Sequence, residues 1–289
     1  MTFSLCRLRL SEHVLTLINK GTIMDNKSNF LIYVSEFIGT FVFLLCGIGC
    51  VSGLKLAGAS FGQWEIGIVW GLAVAMGVYV CAGVSGAHLS PSVTIALAIF
   101  GDFDKRKVVP YIVAQMLAGF CAAAVAYLLY ASLFAEAVAA AAGDAAKMTM
   151  LAGAFCTFPH PSITFGQAFL VEVVITAVLM CLIMALVDSK NAAPGSNLGG
   201  LLIGLLVALI GACFGPLTGF AMNAARDFGP RLFATLAGWG SDAMTGYAVN
   251  SHLSLPYFLV PLIAPIIGAC IGAAVYKYVI AVALSRQQS

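Results

Sequence analysis

Ser90 and Asn223 are the residues around which chemistry could be organised in this chain. Each closes an irregular, glycine-containing stretch, Gly86 to Leu89 and Gly219 to Met222, and each precedes a short apolar run of helix formers. Ser and Asn are strong N-caps, because their side-chain oxygens accept hydrogen bonds from the first free N–H groups of a helix. A helix N-terminus is equivalent to about half a positive charge. Two such ends facing one point would repel cations and protons and admit neutral molecules. The carbonyls before them, including those of His88, Leu89, Ala221 and Met222, would be costly unsatisfied groups in lipid, and are tolerable where they line a wet path.

Arg226, Glu36 and Glu172 are ionisable candidates inside apolar segments. Arg226 lies three residues into the second short run; at membrane depth an Arg costs about 2.5–3.5 kcal/mol and is a functional candidate by default. Its alternative is a pair with Asp227 or a place at the outer interface. Glu36 and Glu172 are conceivable proton-relay groups. Their matching positions favour structural support instead, each accepting N–H groups of its own irregular loop. His88 is a candidate pore acceptor, but one His without partners is not a metal site. The nine cysteines form no CxxC pair and lie mostly in apolar runs, where free Cys packs as a small hydrophobe. No metal, cofactor or disulfide framework is expected, and no nucleophile–base pair suggests an enzyme.

The elements holding these residues must sit in a bilayer. Of 289 residues, 61% are hydrophobic and 9% charged, with mean hydropathy +1.01; a soluble domain carries about 25% charged residues. The net charge of +2 leaves no electrostatic footprint for nucleic acid. A crossing helix needs roughly 20 apolar residues, and six stretches qualify: 31–54, 63–83, 108–131, 166–187, 198–218 and 257–284. The runs 91–100 and 224–237 are too short and read as half-helices that enter the membrane and stop. The expected fold is all-α, with six crossings and two re-entrant half-helices.

The two halves of the chain match. SEFIGTFVFLL at 35–45 falls on VEVVITAVLMC at 171–181, which places Glu36 opposite Glu172 at an offset of 136. SGAHLSPSVTIALAIF at 85–100 falls on TGFAMNAARDFGPRLF at 218–233, pairing Gly86 with Gly219 and Ser90 with Asn223 at an offset of 133. Each half has three crossings, an odd number, so the second copy is inverted and the half-helices enter from opposite faces to meet near the midplane. Lys and Arg placement sets the orientation. With the N-terminus inside, ten fall on the inner side, from Arg7 to Arg286, and four outside, Lys55, Lys147, Arg226 and Arg231. The expected organisation is an N-terminal cytoplasmic tail over 1–30, a channel domain over 31–284 with repeats at about 31–131 and 166–284, and a cytoplasmic tail over 285–289. The Ala-rich stretch 135–147 reads as a short external helix.

The motifs AGASFGQWEIGIVWGLAVAMG, GVSGAHLSPSVTIAL, FDKRKV and GPLTGFAMNAARDFGPRLFA resemble the major intrinsic protein family, the aquaporins and aquaglyceroporins, over about 31–280. Within it the chain is most similar to the bacterial glycerol facilitators. The resemblance implies a homotetramer in the inner (plasma) membrane, each protomer with its own pore for glycerol, related small polyols and some water. It also implies a selectivity filter at Trp70, Gly211, Phe220 and Arg226, with the Gly219 carbonyl beside them. Two aromatic faces would meet the CH side of a polyol, while Arg226 and carbonyls bind its hydroxyls. Gly211, where water-selective members are expected to carry His, leaves room for a carbon chain. A mainly water-conducting channel and a proton-coupled transporter are the competing readings. The chain departs from the family's Asn-Pro-Ala signatures, with Ser90-Pro91-Ser92 and Asn223-Ala224-Ala225 in their places. Ser offers one donor where Asn offers two, and Ala224 lacks the preset φ of a proline at the first helical position.

Overall fold

The computed structural model describes residues 3–191 and 193–287, and side chains from residue 29 onward. Regular structure among them is helical throughout: α1 (Phe3–Leu56), α2 (Gln63–Ser85), α3 (Pro91–Phe100), α4 (Val108–Leu129), α5 (Ala131–Ala141), α6 (Ala145–Ala152), α7 (Phe165–Val187), α8 (Gly199–Thr218), α9 (Ala224–Ala234), α10 (Gly240–Thr245), α11 (Leu259–Val275) and α12 (Ala281–Gln287). Six segments are long and apolar enough to cross a bilayer: Asn29–Leu56, Gln63–Ser85, Lys105–Leu129, Phe165–Val187, Gly199–Thr218 and Leu259–Gln287. The Arg7, Arg9, Lys20 and Lys27 side chains of the expected 1–30 tail lie outside the described residues, as do Gln288 and Ser289 of the 285–289 tail.

The external connection and the second half-helix differ from the sequence expectation, as does the last span, which is α-helical over Leu259–Val275 and passes through a π turn at Tyr276–Ile280. The single external helix expected over 135–147 is two helices, α5 and α6. Ala142 and Gly143 between them take φ of 50° and 78°, and the Asp144 carboxylate accepts the Lys147 N–H at 3.0 Å to cap α6. An alanine run extends a helix readily; Gly-Asp stops one and starts the next. The second half-helix, expected to reach 237, leaves α geometry at Ala234 and passes into a π turn over Thr235–Trp239, in which Gly238 has φ 118°.

The inverted repeat is visible in the packing. Each half-helix is held chiefly by a crossing helix of the other half, α3 by α11 and α9 by α4, and α3 and α9 touch one another. The halves are joined where α2 lies along α8; within the second half α7 lies along α11, as α1 lies along α4 in the first. Small residues make these approaches possible. A Cβ at Gly71 would collide with the Gly204 carbonyl and one at Gly204 with the Gly71 carbonyl, while Gly268 and Gly272 lie against the Val173 and Ala177 carbonyls. Rows of large apolar side chains face outward, among them Leu205 and Leu209 on α8 and Ile263, Ile267 and Ile271 on α11. In water such rows would drive aggregation; in lipid they are the solvated surface.

Candidate functional site

The two irregular loops are built alike. In the first, Gly86, Ala87 and Leu89 have φ of 82°, 52° and 53°; in the second, Gly219, Phe220 and Met222 have 75°, 40° and 50°. These are the same positions at an offset of 133. Left-handed backbone at a non-glycine residue costs about 1–3 kcal/mol and persists only where its surroundings fix it.

Here a buried carboxylate fixes each loop. Glu36 accepts the Leu89 N–H (2.5 Å), the Ser85 hydroxyl (2.6 Å) and the Gln115 amide (2.8 Å). Glu172 accepts the Ala221 and Met222 N–H groups (2.9 and 2.8 Å) and the Thr218 hydroxyl (2.6 Å). Both glutamates are fully buried. The hydroxyl partners Ser85 and Thr218 are also 133 residues apart, at the first position of each aligned motif. Gln115 has no such signal in the sequence.

Ser90 and Asn223 cap α3 and α9. The Ser90 hydroxyl oxygen accepts the Ser92 N–H at 3.2 Å. Asn223 Oδ1 accepts from Ala225 (2.9 Å) and Arg226 (3.3 Å), and its Nδ2 donates to the Leu89 carbonyl at 2.7 Å, tying the second loop to the first. Both helix N-termini therefore meet at one place. Ser92 Oγ, beside the first cap, is buried without a partner.

His88 lies on the same wall, its ring against Phe103 and Tyr111 at 4.5 and 5.0 Å. Its Nδ1 is 3.0 Å from the Thr94 hydroxyl. The same hydroxyl is 3.0 Å from the Ser90 carbonyl and accepts from the Gln115 amide at 3.1 Å, so it links His88, the first cap and Gln115.

A cavity of about 380 Å³ runs from Trp70, Phe220 and Arg226 past His88, Leu89, Ser90, Ala221, Met222 and Asn223 to Val187, Asn197 and Gly199. Its wall is mainly apolar. At one end Trp70 and Phe220 stand edge to face, 82° apart with centroids 6.3 Å apart, so they form a corner rather than two parallel faces. The Arg226 guanidinium lies over the Trp70 ring at 4.1 Å and donates to the Phe155 carbonyl at 3.3 Å. Gly211 and Gly219 do not line this cavity. Gly211 acts as a seat, since a Cβ there would meet Phe220 Cε2 at 2.9 Å, and its carbonyl accepts from Gln63 at 2.8 Å.

Asp227 does not pair with Arg226. It binds Arg231 at 2.7 Å, both side chains fully buried, and accepts the Thr157 N–H and hydroxyl at 2.8 and 2.7 Å. Arg231 also donates to the Thr157 and Ala243 carbonyls. This network anchors the loop that presents the Phe155 carbonyl to Arg226, with the Phe155 ring held among Phe134, Phe233 and Trp239. The Asp227/Arg231 spacing of four was open to sequence reading; Thr157, 70 residues from Asp227, and Phe155, 71 residues from Arg226, were not.

Comparison with known proteins agrees with this geometry. A family model described as "Major intrinsic protein" matches residues 24–276. The glycerol uptake facilitator protein of Escherichia coli (strain K12) is 57% identical over 249 residues, covering 86% of this chain and 87% of that protein. The propanediol uptake facilitator PduF of Citrobacter freundii is 56% identical over 249 residues, covering 86% and 91%. The X-ray structure of the aquaglyceroporin from Plasmodium falciparum superposes with a TM-score of 0.78 at 31% identity, covering 89% of this chain and 99% of that one. With two inverted halves, two capped half-helices meeting at one point and a matching family model over most of its length, this multi-pass membrane protein belongs to the major intrinsic protein family.

Proposed function

We propose that the chain is a passive channel for glycerol and related small neutral solutes, with some water permeation, and that it excludes ions and protons. The observation supporting this most directly is the corner at the end of the cavity, where Trp70 and Phe220 offer apolar surface and Arg226 offers donors. A linear polyol has a CH side and a hydroxyl side that fit such a corner. Trp70, Phe220 and Arg226 act as the filter, with Gly211 seating Phe220 and Gly219 turning the chain into the loop. Ser90, Asn223, His88, Leu89, Ala221 and Met222 form the midplane, where the half-helix N-termini oppose cations. The same reading takes the protein as a homotetramer in the plasma (inner) membrane with both termini cytoplasmic. Stopped-flow light scattering of proteoliposomes tests it: glycerol entry faster than in protein-free vesicles is expected. Water entry alone would mark a water channel.

Two substitutions probe the parts. Phe220→Ala removes the ring seated on Gly211 and should admit bulkier polyols that the parent excludes; unchanged size selectivity would take Phe220 out of the filter. Ser90→Asn with Ala224→Pro restores the family's caps. The Ala224 N–H takes no part in the Asn223 cap, which uses Ala225 and Arg226, so proline costs no cap bond there. An amide at 90, by the 133-residue correspondence, faces the Met222 carbonyl as Asn223 faces that of Leu89. The expected gain is about 1 kcal/mol, seen as a higher thermal midpoint, with glycerol flux equal or greater and any proton leak lower in a pH-dye liposome assay. A lower midpoint would mean that the Ser90 and Ala224 caps are already matched to their surroundings.

A further inference from the structure

We infer that Gly47 is a positioning residue for the filter and sets its width by the place it leaves for the Trp70 ring; this rests on reading Trp70, Phe220 and Arg226 as the filter. Gly47 is buried in α1 and lines no part of the cavity. A Cβ built on it would fall on Cζ3, Cη2 and Cε3 of Trp70, well inside van der Waals contact. The benzene half of the indole therefore occupies the space a side chain at 47 would take.

Little freedom remains to the ring on its other sides. Arg226 lies over it at 4.1 Å, the Phe220 ring is 6.3 Å away, and Trp70 is 3% exposed. Because Arg226 and Phe220 are the ring's neighbours, a ring displaced by a side chain at 47 alters the aperture that the three residues form. Withdrawal of α1 is the other way to relieve the contact, and it is opposed along the same helix. Glu36 of the same helix is bonded to Ser85, Leu89 and Gln115, which ties α1 to α2, to the first loop and to α4. The ring gives before the helix. Phe220 is seated in the same manner, against Gly211 and Gly215, where added Cβ atoms would each meet it at 2.9 Å. Both walls of the corner thus rest on glycines of other helices.

The test is Gly47→Ala, read as the ratio of glycerol to water permeability in proteoliposomes. A one-carbon misfit in a fitted site is worth roughly 10-fold, so the ratio should fall by about that factor while water, the smaller permeant, is spared. In a Trp70→Phe background the colliding ring atoms are gone, and Gly47→Ala should leave the ratio unchanged. An equal loss of water and glycerol, an unaltered ratio, or the same fall in the Trp70→Phe background would each overturn the inference. Should Gly47→Ala not reach the membrane, the Trp70→Phe/Gly47→Ala double variant is expected to do so, and its failure would overturn the inference too. A parent protein that conducts no glycerol would instead sink the functional reading itself.

Discussion

Glu172→Ala is expected to abolish accumulation of folded channel. The carboxylate is fully buried and is the acceptor for three donors, the Thr218 hydroxyl and the Ala221 and Met222 N–H groups. Ala offers no acceptor, and water cannot replace one in hydrocarbon. Each buried donor left unsatisfied costs about 1–3 kcal/mol, so three together approach the whole stability of a typical fold, about 5–15 kcal/mol. The left-handed backbone at Phe220 and Met222 would also lose what fixes it. Glu172→Gln should be intermediate, because one carbonyl remains to accept while the amide nitrogen faces a donor. The measurement is the thermal midpoint of the detergent-solubilised protein by size-exclusion fluorescence. A proton-relay role predicts a different result, a Gln variant as stable as the parent with altered proton movement.

Asp227→Ala is expected to be almost as damaging, by another route. Removing one partner of a buried ion pair strands the other, typically at about 3–5 kcal/mol, and Arg231 is fully buried. Thr157 loses the acceptor for both its N–H and its hydroxyl. The loop bearing Phe155 is then freed, and with it the carbonyl that holds Arg226. Any protein that does assemble should therefore discriminate less between glycerol and larger polyols. Removing both charges, as Asp227→Ala with Arg231→Met, should cost less than Asp227→Ala alone, because no unpaired charge remains. Additive losses in that cycle would show that the pair is not coupled.

Much of this was legible in the residues, for identifiable reasons. Length and apolarity mark a crossing helix without ambiguity, so the six spans lie close to where the sequence places them. The inverted repeat followed from two aligned motifs and the parity of three crossings. Ser90 and Asn223 were readable as caps because capping is local, set within three residues. What was hidden is non-local. Nothing near Phe155 or Thr157 in sequence announces Arg226 or Asp227 as a neighbour, and the carbonyl of Phe155 carries no side-chain signal at all. Gly211 was marked as a filter position by family resemblance alone, and its closeness to the Phe220 ring, which a Cβ there would meet at 2.9 Å, has no signal in the sequence. The Ala run at 135–147 misled because propensity outweighed the one Gly-Asp step that divides it.

The central claim is that neutral solutes pass down their gradient through this protein without coupling to protons. It is tested most directly by labelled glycerol uptake into proteoliposomes with and without an imposed pH gradient. Rapid entry that levels off at the outside concentration, with the same plateau in both conditions, is the result this account predicts. A plateau above the outside concentration when the pH gradient is present would contradict it and make Glu36 and Glu172 relay groups of a transporter.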